Sequence, residues 1–410
     1  MTNFEAPRGT HDILPAEQPL WRLVAAEVDR LCALYGYRPV QTPVFEDTAL
    51  FQRTSGAGSD IVHKEMYTFE DKSGRSLTLR PEATAPIARA YLEHGLHREG
   101  QPAKLYTLGP MYRYTAPQRG NFREFWQLSV EAIGSDDPAL DAEVIQVYDE
   151  LLARLGVTNH ELQLNSIGDE NCRPQYLERL TAWLDEHDDV LDDEARQKRA
   201  TSPLRVFDVK NEKVQAALGE APKIGDALCD ACREHFEQVK ASLENYAIDF
   251  TLVPTLVRGL DYYTRTAFEF VDEAIGAKSS ICGGGRYDGL IEQIGGRPTP
   301  GIGFGAGIER LLLSLEAAGV GAEPEGVDVF VLLLEGDHKP RALPFVAELR
   351  RAGLSADVDY AGRSLKGQLT QAGRLGAKAV VEWGPERSKI RRSGEPDEEV
   401  PTAELVERLR

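Results

Sequence analysis

The sequence of 410 residues predicts two bodies of different fold class: an α+β body with a helical insertion, then a small α/β domain. Three observations predict it. Residues 104–114 and 125–133 are apolar stretches joined by a polar, basic loop, which reads as strand, long loop, strand. From about residue 171 to 244 the text turns charge-dense and helical. After AAGVGAEPEGV (317–327), which has linker composition, strand and helix alternate at short spacing.

Taken in order, Leu20, Val24, Val28, Leu31 and Tyr35 recur at helical spacing, and Gly36 ends that run. Residues 37–44 contain Pro39 and Pro43 and read as extended, because proline disfavours helix before it. A short strand at 77–80 precedes a helix over 81–95. Residues 139–155 form an amphipathic helix ended by Gly156. In the insertion, Leu180, Trp183, Leu184 and Leu191 still supply an apolar stripe, so it reads as a folded subdomain and not as a linker. Strand text returns at 250–256 and 266–271. Two glycine clusters follow (283–285, and 301, 303, 305, 307), with a helix over 308–317. The C-terminal part predicts a buried parallel strand at 327–334, then helix 341–352, strand 355–360, helix 363–375 and strand 378–382. The acidic last thirty residues give no pattern.

Composition limits the function classes. A hydrophobic share of 42% and a charged share of 28% suit a chain that buries a real core. No run of 18 apolar residues exists, so no membrane span is expected, and the first residues lack the apolar core of a secretory leader. Five cysteines are an odd and sparse set, which fits a reducing cytoplasm better than a disulfide framework. The net charge is −19, all of it before residue 328, because residues 328–410 hold 14 basic and 14 acidic side chains. With 13 Lys against 34 Arg, the acidic, lysine-poor surface is that of a salt-adapted protein. Any phosphate site must then be a local basic patch.

GIGFGA (301–306) satisfies the loose dinucleotide pattern, but it follows a turn and lacks the strand–helix–strand context. It reads instead as a glycine strand packed closely against something, running into a helix whose first turn carries Glu309 and Arg310. Cys229-x-x-Cys232-x-x-His235 holds half a metal site. No second such pair follows and only Cys172 could be a fourth ligand, so it reads as helix-borne cysteines, with no metal held by the protein. The loop after Tyr112 presents Arg113, Arg119 and Arg123, whose guanidinium forks suit phosphate oxygens. Gln127 and Glu131 lie at i and i+4 on a strand, facing one side, and a glutamate on a buried strand face favours a pocket. Arg258-Gly-Leu-Asp261-Tyr262-Tyr263-Thr-Arg265 is the densest polar and aromatic cluster.

These segments together resemble the histidyl-tRNA synthetase family, in the class II aminoacyl-tRNA synthetases. PRGTHDILP (7–15), PVFEDTALFQRTSG (43–56), LRPEATAP (79–86), the arginine loop from Tyr112 to Glu131, LVRGLDYY (256–263), GGGRYDGL (283–290) and GIGFGAGIERLL (301–312) occur in family order, with GRSLKGQLTQAGRLGAK (362–378) behind them. The resemblance implies an antiparallel sheet of six or seven strands flanked by helices, in a catalytic domain over 1–319 with its insertion at about 171–244. An anticodon-binding domain over 328–410 follows. It implies a homodimer with Pro43 at its interface, and ATP with Mg2+, L-histidine and tRNA(His) as partners. Arg113 and Arg258 would hold the α-phosphate and Arg310 the γ-phosphate. Glu82, Ala83, Thr84 and Gln127 would surround the α-amino group, with Glu131 and Tyr263 on the imidazole nitrogens and Tyr262 lining the pocket. Gln118 and Arg123 would touch the tRNA acceptor end, and Arg363, Lys366 and Arg374 the anticodon. Asn121 departs from the family, where arginine is common. The alternative is the regulatory, histidine-binding paralog of ATP phosphoribosyltransferase, which lacks the anticodon domain and usually the arginine signature.

Overall fold

The computed structural model describes residues 4–410 except 57, 58, 60, 277, 278, 323–325 and 335–338. Residues 323–325 of the expected linker thus lie outside the described residues. The chain divides into two compact units, Met1–Gly321 and Ala322–Arg410. Among the described residues no helix is long and apolar enough to cross a membrane.

The first unit is built on a sheet of eight strands. These are β1 (Arg38–Pro39), β5 (Ala103–Tyr112), β6 (Glu124–Ile133), β7 (Glu161–Ser166), β8 (Thr251–Leu252), β9 (Thr264–Val271), β10 (Ser280–Arg286) and β11 (Gly301–Gly307), while β2 (Phe45–Asp47), β3 (Tyr67–Glu70) and β4 (Ser76–Leu79) make a separate small sheet. The order β1-β5-β6-β11-β10-β9-β7-β8 places six antiparallel strands at the centre and a two-residue parallel strand at each edge.

Helices α1 (Gln18–Leu34), α2 (Thr48–Thr54), α3 (Thr84–Glu93) and α4 (Pro138–Leu155) come before the insertion. The last of these shows why its ends fall where they do. Asp137 accepts from the Ala139 N–H at 2.9 Å, proline occupies the first turn, and Gly156 closes the far end at φ +81°. Along β6 the side chains alternate. Leu128, Val130 and Ala132 enter the main apolar core with α1 and α4, while Gln127, Ser129 and Glu131 point to the other face. That other face carries the site.

Residues 173–218 form α5 (Arg173–Glu186), α6 (Asp193–Thr201) and α7 (Glu212–Leu218), whose own core includes Tyr176, Leu180, Leu184, Val206 and Leu218. Helix α8 (Asp230–Asn245) falls inside the expected insertion but belongs to both bodies. Cys232 packs into the insertion core, whereas Val239 and Leu243 pack with the main core. Helices α9 (Leu290–Gln293) and α10 (Ile308–Ala317) complete the unit.

The strand expected at 250–256 shrinks to Thr251–Leu252, because Pro254 has no N–H for a ladder. The Asn165 amide takes over, donating to the carbonyls of Pro254 and Leu256. Likewise only Arg38 and Pro39 of 37–44 form a strand. Strands β2, β3 and β7 were not expected.

The second unit orders its sheet β13-β12-β14-β15-β16, from β12 (Val329–Leu333), β13 (Ala356–Val358), β14 (Ala379–Trp383), β15 (Arg387–Arg392) and β16 (Glu398–Pro401). The first three in that order are parallel and the last two antiparallel. Helices α11 (Lys339–Arg351), α12 (Leu365–Arg374) and α13 (Leu405–Leu409) accompany it. The unreadable C-terminus therefore contains two strands and a helix, with Ile390, Val400 and Leu405 in the core.

Candidate active site

A cleft of about 390 Å3 opens on the polar face of the sheet. Its lining includes Glu82 and Thr84 at the start of α3, Arg113 and Gln127 from the β5–β6 hairpin, Arg258, Tyr262 and Tyr263 before β9, and Arg310 in the first turn of α10.

The glycine strands form the floor of this site. None of Gly283, Gly285, Gly303 and Gly305 has a positive φ, so space rather than backbone strain demands glycine here. A Cβ on Gly283 would lie 1.9 Å from Arg258 Nη2. On Gly285 it would meet the Tyr263 ring at 2.9 Å, on Gly303 the Glu131 carboxylate at 1.9 Å, and on Gly305 the Gln127 amide at 2.5 Å. The expected close packing of GIGFGA is thus against the side chains of the site itself.

Each predicted residue has a definite place. Arg113 donates from Nε to the Pro81 carbonyl at 2.7 Å, with its guanidinium over the Phe125 ring at 5.4 Å. Arg310 is held by the carbonyls of Gly120 (3.1 Å) and Ser280 (2.7 Å). Burial, and then the Arg113 charge, lower the Arg310 pKa, which marks a site where like cations converge and an anion is welcome. Arg258 lies 3.6 Å from Glu269, and its buried Nε has no hydrogen-bond partner among the described residues. Glu82 caps α3 by accepting from the N–H groups of Thr84 (2.6 Å) and Ala85 (3.1 Å), and burial raises its pKa. Ala83 is fully buried behind it.

Glu131 does not line the cleft. It sits beneath it, fully buried, accepting from the Thr84 hydroxyl at 2.7 Å and the Tyr287 hydroxyl at 2.5 Å. Burial pushes its carboxyl up to about 8. Gln118 and Arg123 stay outside the cleft lining. Arg123 braces its loop by stacking 3.8 Å over Tyr114 and donating to the carbonyls of Thr115 and Arg8. Asn121 holds the same loop through Thr115 Oγ1 (3.2 Å) and the Ala116 carbonyl (3.0 Å). In the second unit, Arg363, Lys366 and Arg374 are exposed, and Arg363 pairs with Asp359 at 2.7 Å.

Sequence reasoning missed Arg205, which reaches the cleft from the insertion, and Tyr287, the partner of Glu131. It also missed what Arg286 does. That side chain is fully buried and binds Asp141 at 2.5 Å, and Asp141 also accepts from Thr266 and faces His235 at 2.9 Å. His235 is therefore turned away from the cysteine pair. Cys229 and Cys232 instead meet Cys172 and Asp169 in one cluster.

Residues 9–311 match the family profile described as histidyl-tRNA synthetase, and residues 328–410 one described as an anticodon binding domain. A "Histidine--tRNA ligase" of Moorella thermoacetica is 49% identical over 411 residues, 98% of this chain and 97% of its own length. One of Halothermothrix orenii is 46% identical over 415 residues, 99% of each. The crystal structure of apo S. aureus histidyl-tRNA synthetase superposes with a TM-score of 0.84 at 37% identity, covering 99% of this chain and 100% of that one.

Proposed function

The chain belongs to the histidyl-tRNA synthetase family, and from that premise we propose how its residues act as a histidine–tRNA ligase. The enzyme joins L-histidine to ATP, giving histidyl-adenylate and pyrophosphate, and then passes the histidyl group to the 3′ end of tRNA(His). In the first step a histidine carboxylate oxygen bonds to the α-phosphorus while the bond to the pyrophosphate oxygen breaks. In the second, a ribose hydroxyl of the terminal nucleotide attacks the histidyl carbonyl and AMP leaves.

One observation carries the assignment of roles: Arg113, Arg258 and Arg310 enter a single cleft beside Glu82, Gln127, Tyr262 and Tyr263. Charge grows on the α-phosphoryl oxygens in the transition state, and cations already in place there lower the barrier most. We assign Arg113 and Arg258 to the α-phosphate and Arg310 to the γ-phosphate. Magnesium would arrive with ATP and offset the charge of its phosphates. The Glu309 carboxylate in this cleft already accepts from the Trp126 N–H with both oxygens, which favours a metal held by the nucleotide. Glu82, Thr84 and Gln127 would take the α-amino group. Tyr263 would meet one imidazole nitrogen from the wall and Glu131 the other from beneath. A pocket that hydrogen-bonds both ring nitrogens rejects an apolar isostere by roughly 10⁴ or more, so no editing site is required.

The regulatory paralog is disfavoured by the presence of Arg258 and of a complete second unit matching an anticodon-binding domain. We assign Arg363, Lys366 and Arg374 to the anticodon, and Gln118 and Arg123 to the acceptor end. A homodimer suits the exposed Val44, Phe45 and Phe69 beside Pro43 on the small sheet. ATP–pyrophosphate exchange is the test. Exchange with histidine and with no other amino acid supports the reading, and none with any amino acid refutes it.

A further inference from the structure

Where α5 and α8 begin, four side chains that the reaction does not use converge. Cys172 is the N-cap of α5, Cys229 is the N-cap of α8, and Cys232 lies one turn further along α8. Asp169 completes the set from the turn after β7. The four ligand atoms lie within 4.8 Å of one another. Cys172 Sγ is 3.9 Å from Cys232 Sγ, and Asp169 Oδ1 is 3.6 Å from Cys172 Sγ and 3.9 Å from Cys229 Sγ. A disulfide needs about 2.05 Å between sulfurs, and the cysteines are free. A tetrahedral metal bound at about 2.3 Å to sulfur spaces its sulfur ligands about 3.8 Å apart. The distances of 3.6 and 3.9 Å are close to the edges of such a tetrahedron, and the remaining edges are within 4.8 Å.

We propose that Asp169, Cys172, Cys229 and Cys232 form a structural site for one zinc-class ion, which fastens the insertion to the segment carrying Arg258 and Tyr263. Three thiolates and one carboxylate are a donor set for zinc and not for magnesium or calcium. The turn is built for sulfur. Gly168 adopts φ +65°, a Cβ there would meet Cys172 Sγ at 2.7 Å, and the Asp169 N–H points at the same sulfur at 3.4 Å. Binding sends the three thiol protons to solvent. Three thiolates and one carboxylate around a divalent ion leave a charge of −2, which Arg265 partly offsets, its Nη2 lying 3.5 Å from Asp169 Oδ2.

The same turn leads to the active site. Ile167 and Gly168 exchange backbone hydrogen bonds with Arg265, both at 2.7 Å. Arg173, beside the metal ligand Cys172, donates to the carbonyls of Ile167 and Gly168 at 3.0 Å and to that of Tyr263 at 2.7 Å. The ion thus closes a brace between the insertion and the Tyr263 backbone.

The test uses the full chain, purified reduced and without chelator. Elemental analysis should find about one zinc per chain. Cobalt(II) added to the stripped protein should give the intense visible bands of tetrahedral cobalt with the near-ultraviolet bands of cobalt–thiolate bonds. Cys229→Ser and Cys232→Ser should lose both signals, while Cys32→Ala, far from the cluster, keeps them. Should a cysteine variant fail to fold, the wild-type stoichiometry and spectrum still decide. A folded, reduced wild-type chain that takes up neither zinc nor cobalt stoichiometrically overturns the proposal, as does a Cys232→Ser chain with an unchanged cobalt spectrum.

Discussion

Gly283→Ala tests the glycine floor with a single methyl group. The added Cβ would stand 1.9 Å from Arg258 Nη2, 2.4 Å from Cζ and 2.6 Å from Nη1. An unstrained contact lies near 3.5 Å, so the guanidinium must withdraw by about 1.5 Å. The strand cannot yield instead, because β10 is paired on both sides, to β9 and β11. Displacing a catalytic group by about 1 Å can cost on the order of 10² in rate. Losing one preorganised donor outright costs about 10²–10³, or 2.7–4 kcal/mol. Gly283→Ala should therefore lower kcat for histidine-dependent ATP–pyrophosphate exchange on the order of 10²-fold, approaching Arg258→Ala. Overpacking should cost about 1–3 kcal/mol of stability, which a thermal melt would register without loss of the fold.

A double-mutant cycle separates this mechanism from general damage. If the methyl acts only by moving Arg258, the pair Gly283→Ala with Arg258→Ala is no slower than Arg258→Ala alone. Additive losses, or a folded Gly283→Ala enzyme with near-normal exchange, refute the reasoning.

Further predictions concern stability. Burial raises the Glu131 carboxyl from 4.5 to about 8, so the native state holds its proton where the unfolded chain has lost it. That contribution is complete below pH 4.5 and fades as pH rises toward 8. In urea unfolding, the stability of wild type relative to Glu131→Gln should therefore fall across this window, and a constant difference would contradict it. Asp141→Ala strands the fully buried Arg286 and should cost about 3–5 kcal/mol by the same method, whereas a loss below about 1 kcal/mol would show the pair to be dispensable. The net charge of −19 predicts a thermal midpoint that rises from low to molar KCl, and a midpoint indifferent to salt removes the idea of salt adaptation.

The legibility of the chain followed the range of the interactions involved. Helices such as α4 carry their stop signals within a few residues, and the sequence expectation over 139–155 differs from Pro138–Leu155 by one residue. Strand β7 was readable in principle, because Leu162 and Leu164 alternate with polar residues. In β15 the inward Ser388 and Ile390 are separated by charged neighbours, so the strand looks like a solvated loop. The close packing of GIGFGA was foreseeable, but its partners were not, since Gly303 meets Glu131 and Gly305 meets Gln127 only across strands. Arg205 had no local signal at all. Its place in the cleft depends on how a separately folded insertion meets the sheet.

The charge of the chain and the chemistry of the cleft look opposed until distance is considered. At physiological salt, charges more than about 8 Å apart in solvent are largely screened, so −19 spread over a surface does little inside a pocket. Arg113, Arg205, Arg258 and Arg310 line one polar hollow, where a bound anion would feel each guanidinium at a lower effective dielectric than in open solvent. Such a cluster is unstable by its own repulsion, and the fold offsets this with carbonyls and a carboxylate: Pro81 for Arg113, Gly120 and Ser280 for Arg310, Glu269 for Arg258. Those partners fix each fork before the nucleotide arrives. The glycine floor does the complementary work of letting Arg258 lie flat on the sheet. A larger residue at 283 would restore a normal strand and remove the reason for it to be there.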